Sequence, residues 1–207
     1  MLALTEIFYH GKEVLIMIRI SNSFLKEYYS VQIKLLNVFL NTWSNQLIVY
    51  DKEDFWDGGY IYPALNKKKC KREFLENYKI ISAFLFDFFE LYSIKHVVIF
   101  PLNKNGYCTD INKRDFIDID YFNRKKFDIS KRYAIKVSVT DEKDVIDALI
   151  QLSYNYIIEF AIVSDEIDCV IIPSHHFDFH FVNYYDYSQN INNLIKKKYK
   201  TLCIDYY

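Results

Sequence analysis

The residues of this chain best equipped for chemistry lie near its C-terminal end, in the run His175-His176-Phe177-Asp178-Phe179-His180-Phe181. Side chains alternate along a strand, so His176, Asp178 and His180 would share one face while Phe177, Phe179 and Phe181 fill the other. Two imidazoles on one strand face can chelate zinc when a third ligand comes from elsewhere. Asp178 could instead orient a histidine that acts as general base. Either arrangement would suit a metal-assisted hydrolase or nuclease. The competing reading is a half-buried antiparallel strand that turns a polar face to water and holds no metal.

A second group is acidic and aromatic. Asp51, Glu53, Asp54, Phe55, Trp56 and Asp57 are followed by Tyr60 and Tyr62, with Gly58-Gly59 between. Carboxylates beside exposed aromatics suit a surface that meets a basic protein, where the rings anchor and the charges steer. The opposing reading is a solvated loop whose rings tuck back onto the core. Asp110, Asp115, Asp118 and Asp120 form a further acidic cluster, with a spacing that fits no cation-binding loop. The basic runs Lys67 to Lys71 and Lys196 to Lys200 read as solvated faces, the second where cations favour a helix C-terminus.

Composition excludes several classes of function. Nineteen Tyr and seventeen Phe stand against four Gly, and Gly11, Gly58, Gly59 and Gly106 cannot form a GxGxxG turn or a GxxxxGK loop. The common nucleotide cradles are therefore absent, and so are GxSxG, HExxH and CxxC motifs. No cofactor is expected, and nothing marks the chain as an enzyme. A net charge of −1 gives no long-range field toward nucleic acid or an anionic membrane. Cys70, Cys108, Cys169 and Cys203 are widely spaced, and the apolar runs fall short of a membrane span. A soluble cytoplasmic protein with reduced thiols is expected.

The elements that must position these residues follow from periodicity. Leu4 to Tyr9 and Glu13 to Ile20 read as a hairpin around His10-Gly11-Lys12. Phe24, Tyr28, Val31, Leu35, Val38 and Phe39 recur at helical spacing, with Asn22 or Ser23 as N-cap and an end near Trp43. Gln46 to Tyr50 is a strand, Asp51 to Arg72 a long loop, Glu73 to Tyr92 a helix and His96 to Phe100 a strand. Residues 103–130 show no period. Tyr133 to Val139 alternates as a strand, and Thr140 or Asp141 caps a helix reaching about Tyr154. Tyr156 to Val163, Asp168 to Pro173 and Phe177 to Asn183 read as strands, and Ser188 to Lys200 as a closing helix. The expected fold is mixed α/β with a largely antiparallel sheet, one domain over 1–207 with pseudo-halves 1–102 and 131–207.

Glu13 to Ile20, the helix from Phe24 to Phe39, Gln46 to Asp51 and the stretch from Phe179-His180 to Ile204-Asp205-Tyr206 together resemble an uncharacterised bacterial α/β domain family. The chain departs from that pattern between Tyr184 and Leu194. Members of such families look like immunity proteins of polymorphic toxin and contact-dependent growth inhibition systems. The resemblance implies a cytoplasmic inhibitor whose partner is a cognate toxin, a basic nuclease domain, and not nucleic acid or a membrane. Under it, Asp51, Glu53, Asp54, Trp56, Asp57, Tyr60, Asp110, Asp115 and Asp118 are the candidate contact residues.

Overall fold

The computed structural model describes residues 18–51, 68–103, 106, 107, 122, 128, 132–154, 157–174, 176 and 178–207. In chain order the elements are β1 (Ile18–Ile20), α1 (Asn22–Tyr28), α2 (Ser30–Thr42), β2 (Gln46–Asp51), α3 (Lys68–Leu91), β3 (His96–Pro101) and β4 (Ala134–Ser138). They continue with α4 (Lys143–Tyr154), β5 (Phe160–Ser164), β6 (Ile167–Ser174), β7 (Asp178–Val182), α5 (Ser188–Lys198) and β8 (Leu202–Tyr206). The strands form one sheet in the order β1-β4-β3-β5-β6-β7-β2-β8, and every neighbouring pair is antiparallel. The fold is mixed α/β. Strands of residues 1–102 and 131–207 interleave, since β1 pairs with β4 and β2 lies between β7 and β8.

Antiparallel sheets often leave one face wet, yet here both are covered. Helices α3, α4 and α5 pack on one face against Leu47, Val49, Ile99, Phe179 and Phe181. On the other face Leu25, Tyr29, Leu36 and Phe39 of the α1–α2 segment meet Val98, Ala161, Val170, Ile172 and Val182. Central strands between two helical layers must be apolar on both sides, which is why β3 and β5 read as unbroken hydrophobic runs. The aromatic excess fills the thicker layer. Phe88 lies 5.0 Å from Phe181 and 4.9 Å from Tyr92, and Tyr154 lies 5.8 Å from Phe179, in edge-on or tilted contacts that suit ring quadrupoles.

Several elements differ from the sequence reading. The helix expected from Ser23 to Trp43 breaks at Tyr29, whose backbone leaves the helical region and whose buried ring sends its hydroxyl to Asp165, 2.7 Å away. Its N-cap is Ser21, which accepts from Phe24 N–H, not Asn22 or Ser23. The third helix starts at Lys68, five residues before Glu73. The fourth starts at Lys143, after a turn in which Asp141 N–H donates to Ser138 Oγ. The tail after α5 is strand β8. Of the expected N-terminal hairpin only Ile18–Ile20 is described, and most of 103–130 lies outside the described residues; Tyr107 is within them, fully buried and donating to the Ile99 and Tyr133 carbonyls.

Asp87 ties α3 to the C-terminal end of α5, accepting from Tyr199 and from Lys198 Nζ at 2.9 Å. Burial works to raise the Asp87 carboxyl, but these two donors outweigh it and hold it below the ordinary carboxylate value. A folded value below the unfolded one adds stability above the unfolded value, and that contribution is lost as pH falls through the folded value. Asp87→Asn should therefore lower the thermal midpoint at neutral pH, with the deficit closing on acidification. Melting curves across the carboxylate range check this, and a deficit that does not change with pH would assign the loss to packing instead.

Candidate functional site

The residues singled out for chemistry are only partly brought together. Asp178 and His180 lie on one face of β7, as alternation requires, and Phe179 and Phe181 enter the three-helix core on the other. His176 is not on that strand. It sits in the turn between β6 and β7, where its N–H donates to Ser174 Oγ at 3.3 Å. The polar face is not turned to water either. Asp178 and His180 are 7% and 9% exposed, because α2 crosses β6 and β7 and sets Phe39 5.9 Å from the imidazole. Among the described residues no group of three His, Cys, Asp or Glu is arranged to hold a metal ion.

Gln46, the first residue of β2, determines how the imidazole is used. Its Nε2 donates to the Trp43 carbonyl at 2.9 Å, which turns Oε1 toward His180 to accept from Nδ1. Because Oε1 can only accept, Nδ1 carries a proton. Nε2 is thereby directed at Asp178 Oδ1, 3.3 Å away and not aligned as a hydrogen bond. The row Trp43–Gln46–His180 thus satisfies buried polar groups in sequence and fixes the ring in one orientation, with Asp178 Oδ1 facing Nε2 but not hydrogen-bonded to it. Tyr154 donates to the Asp178 carbonyl at 3.4 Å, and burial pushes its hydroxyl far above the ordinary phenol value, so it stays a donor.

His180 borders a cleft of about 290 Å³. Phe39, Leu40 and Trp43 from the end of α2 form one wall, and Ile158, Ile172 and Pro173 form the other. That is near the small end of ligand-sized cavities. The cleft lies at one end of the sheet, and β2 delivers Asp51 to that same end, since Tyr50 pairs with Asp178 and Asp178 with Ser174. The acidic aromatic segment leaves β2 there. Asp51 closes the strand opposite Leu202. Glu53, Asp54, Trp56, Asp57, Tyr60, Asp110, Asp115 and Asp118 lie outside the described residues.

No family model, curated protein or solved structure matches this chain. The site is therefore read from its own residues, and the most informative of these are on α1 and α2. Of the expected helical stripe, Phe39 is buried against the sheet with Phe24 and Leu35 packed beside it, whereas Tyr28, Val31 and Val38 turn outward, 60%, 58% and 50% exposed. Leu25, Tyr29, Leu36 and Phe39 face the sheet instead. Helix α2 is apolar on two sides, and the sheet covers one. The signal was in the sequence, because Leu35, Leu36 and Phe39 already make one apolar row and Val31 and Val38 lie outside it.

Trp43 stands at the mouth of the cleft. It is 60% exposed and takes the left-handed conformation (φ 54°, ψ 27°) at the end of α2, a position usually given to glycine. A bulky residue there costs about 1–2 kcal/mol. Its ring packs edge-on against Phe39 at 5.1 Å and its carbonyl is held by Gln46.

Replacing Gln46 with leucine keeps the volume but strands His180 Nδ1 and the Trp43 carbonyl inside the fold. The expected cost is about 1–3 kcal/mol in urea denaturation, the usual penalty for an orphaned buried polar group. A neutral result would mean that His180 is satisfied without Gln46.

Proposed function

We propose that this chain is a binding protein of the immunity type, a cytoplasmic inhibitor that neutralises a cognate bacterial toxin by covering its active site. The observation that carries this reading is the second apolar face of α1–α2. Single exposed hydrophobic residues are ordinary on protein surfaces, but Tyr28, Val31, Val38, Leu40 and Trp43 are all exposed within the one α1–α2 segment, the last two beside the cleft. A tryptophan kept at a backbone conformation that favours glycine supports it further, since strain of that kind collects where a side chain is needed for contact. Leu40 and Trp43 also border the cleft beside His180. That cleft offers a socket for one apolar side chain of the partner.

Asp51 stands at the cleft end of the sheet, and Glu53, Asp54, Trp56, Asp57 and Tyr60 follow it in sequence, with Asp110, Asp115 and Asp118 as a second acidic group. Carboxylates in this number favour a basic partner, such as a nuclease domain, through faster encounter and correct orientation. The apolar face then supplies most of the affinity.

The test is co-expression with the product of the adjacent open reading frame, followed by calorimetric titration of the purified pair. Val38→Asp and Trp43→Gly should each weaken the complex by about 2–4 kcal/mol, the range of an anchoring residue. Trp43→Gly should leave the thermal midpoint unchanged or slightly raised, because glycine accepts φ 54° without strain. Unchanged affinity in both variants would remove α2 from the interface. Failure to form a complex with the neighbouring product would overturn the immunity reading itself.

A further inference from the structure

Strand β8 forms one edge of the sheet, and its outward side carries hydrogen-bonding groups that nothing in the described fold pairs with another strand. Gln46 and Tyr207 exchange both backbone bonds, at 3.0 and 2.9 Å. Antiparallel ladders alternate, so Cys203 and Asp205 also direct their N–H and C=O groups at β2, while those of Ile204 and Tyr206 point away from it. Leu202 N–H is taken by the Tyr199 carbonyl at 3.0 Å, leaving its own carbonyl directed outward. Exposed edges are normally blunted with lysine, proline or a bulge. Leu202–Tyr206 contains neither residue, and its register against β2 runs unbroken over five pairs. Beside it Tyr185, Tyr206 and Tyr207 are at least half exposed, with Tyr184 ring-stacked on Tyr185 at 4.6 Å and 5.5 Å from Tyr206.

We propose that a second copy of this chain adds its own β8 to this edge, antiparallel, making one continuous sheet across a two-fold axis at Ile204. The edge is complementary to itself in that register and in no other that pairs the whole strand. The two Ile204 residues exchange both backbone bonds, and each Tyr206 N–H meets the Leu202 carbonyl of the second copy. Leu202 lies opposite Tyr206 on the helical side of the sheet. On the other side Asp205, the only charge in the strand, lies opposite Cys203. A register centred on Asp205 would set two carboxylates directly against each other and leave Leu202 without a partner. This interface is separate from the α2 face, so the Val38→Asp variant should retain it.

Light scattering coupled to size exclusion should give twice the 25.0 kDa chain mass. Tyr206→Pro removes an outward N–H while leaving the β2 ladder intact, and should return the mass to that of one chain. Because the substitution also removes a ring, Asp205→Cys provides a second test. Its new thiol should oxidise to Cys203 of the second copy, giving a covalent dimer whose peptide map joins positions 203 and 205. Asp205 shares a hydrogen bond with Tyr50, so circular dichroism confirms that this variant is folded. A wild-type chain that stays monomeric as concentration rises would overturn the proposal. So would a dimer indifferent to Tyr206→Pro, or a cross-link between two copies of position 205. Protection of the Ile204 and Tyr206 amides only when a different protein is bound would give the edge to that protein instead.

Discussion

The insertion of β2 between β7 and β8 is the constraint on which the rest of the structure depends. Six residues from the first quarter of the chain satisfy the backbone groups of two strands near its end, pairing Gln46 with Val182 and Leu47 with both Phe181 and Tyr206. Each feature of interest is then a consequence of where β2 begins and ends. Its first residue reaches His180, 134 positions away, and orients the imidazole. The turn before it sets Trp43 at the cleft, and its last residue launches the acidic segment. Its outer side holds β8 in place as an edge. Pairing so distant in sequence closes a large loop before any contact rewards it, so this step is expected to come late in folding.

A sheet covered on both faces has little room for polar side chains, and the few present are accounted for by local chemistry. Asp147 collects donors from Tyr78, Ser82 and Gln151 where α3 meets α4. Tyr107 satisfies two carbonyls from inside the core. The Gln46–His180 pair belongs to the same set, joining β2 to β7 beneath α2. The unbalanced element is α2, which has more apolar surface than the sheet can cover. That excess is the feature on which the proposed docking rests.

Local patterning made much of this legible in the sequence. Gln46 to Tyr50, His96 to Phe100 and the helix ending at Tyr154 follow from period and composition, and Phe179 and Phe181 were recognisable as core because strand alternation leaves no other place for them. What was not legible was non-local. The break at Tyr29 depends on Asp165 in the β5–β6 turn. The pentapeptide of β8 becomes a strand only because β2 is beside it, and His176 leaves β7 because the β6–β7 turn needs its backbone. For the candidate surface the apolar stripe was visible, but its direction was decided by which of its residues met the sheet, and nothing in a single helix specifies that choice.

The most direct measurement of the central claim is amide hydrogen exchange of the chain alone and in the presence of the product of the adjacent open reading frame, resolved over residues 28–43. If α2 is the docking face, protection rises across that segment on binding, while β3 and β5, already buried on both sides, exchange as before. Protection confined to other segments, with residues 28–43 unchanged, would contradict it.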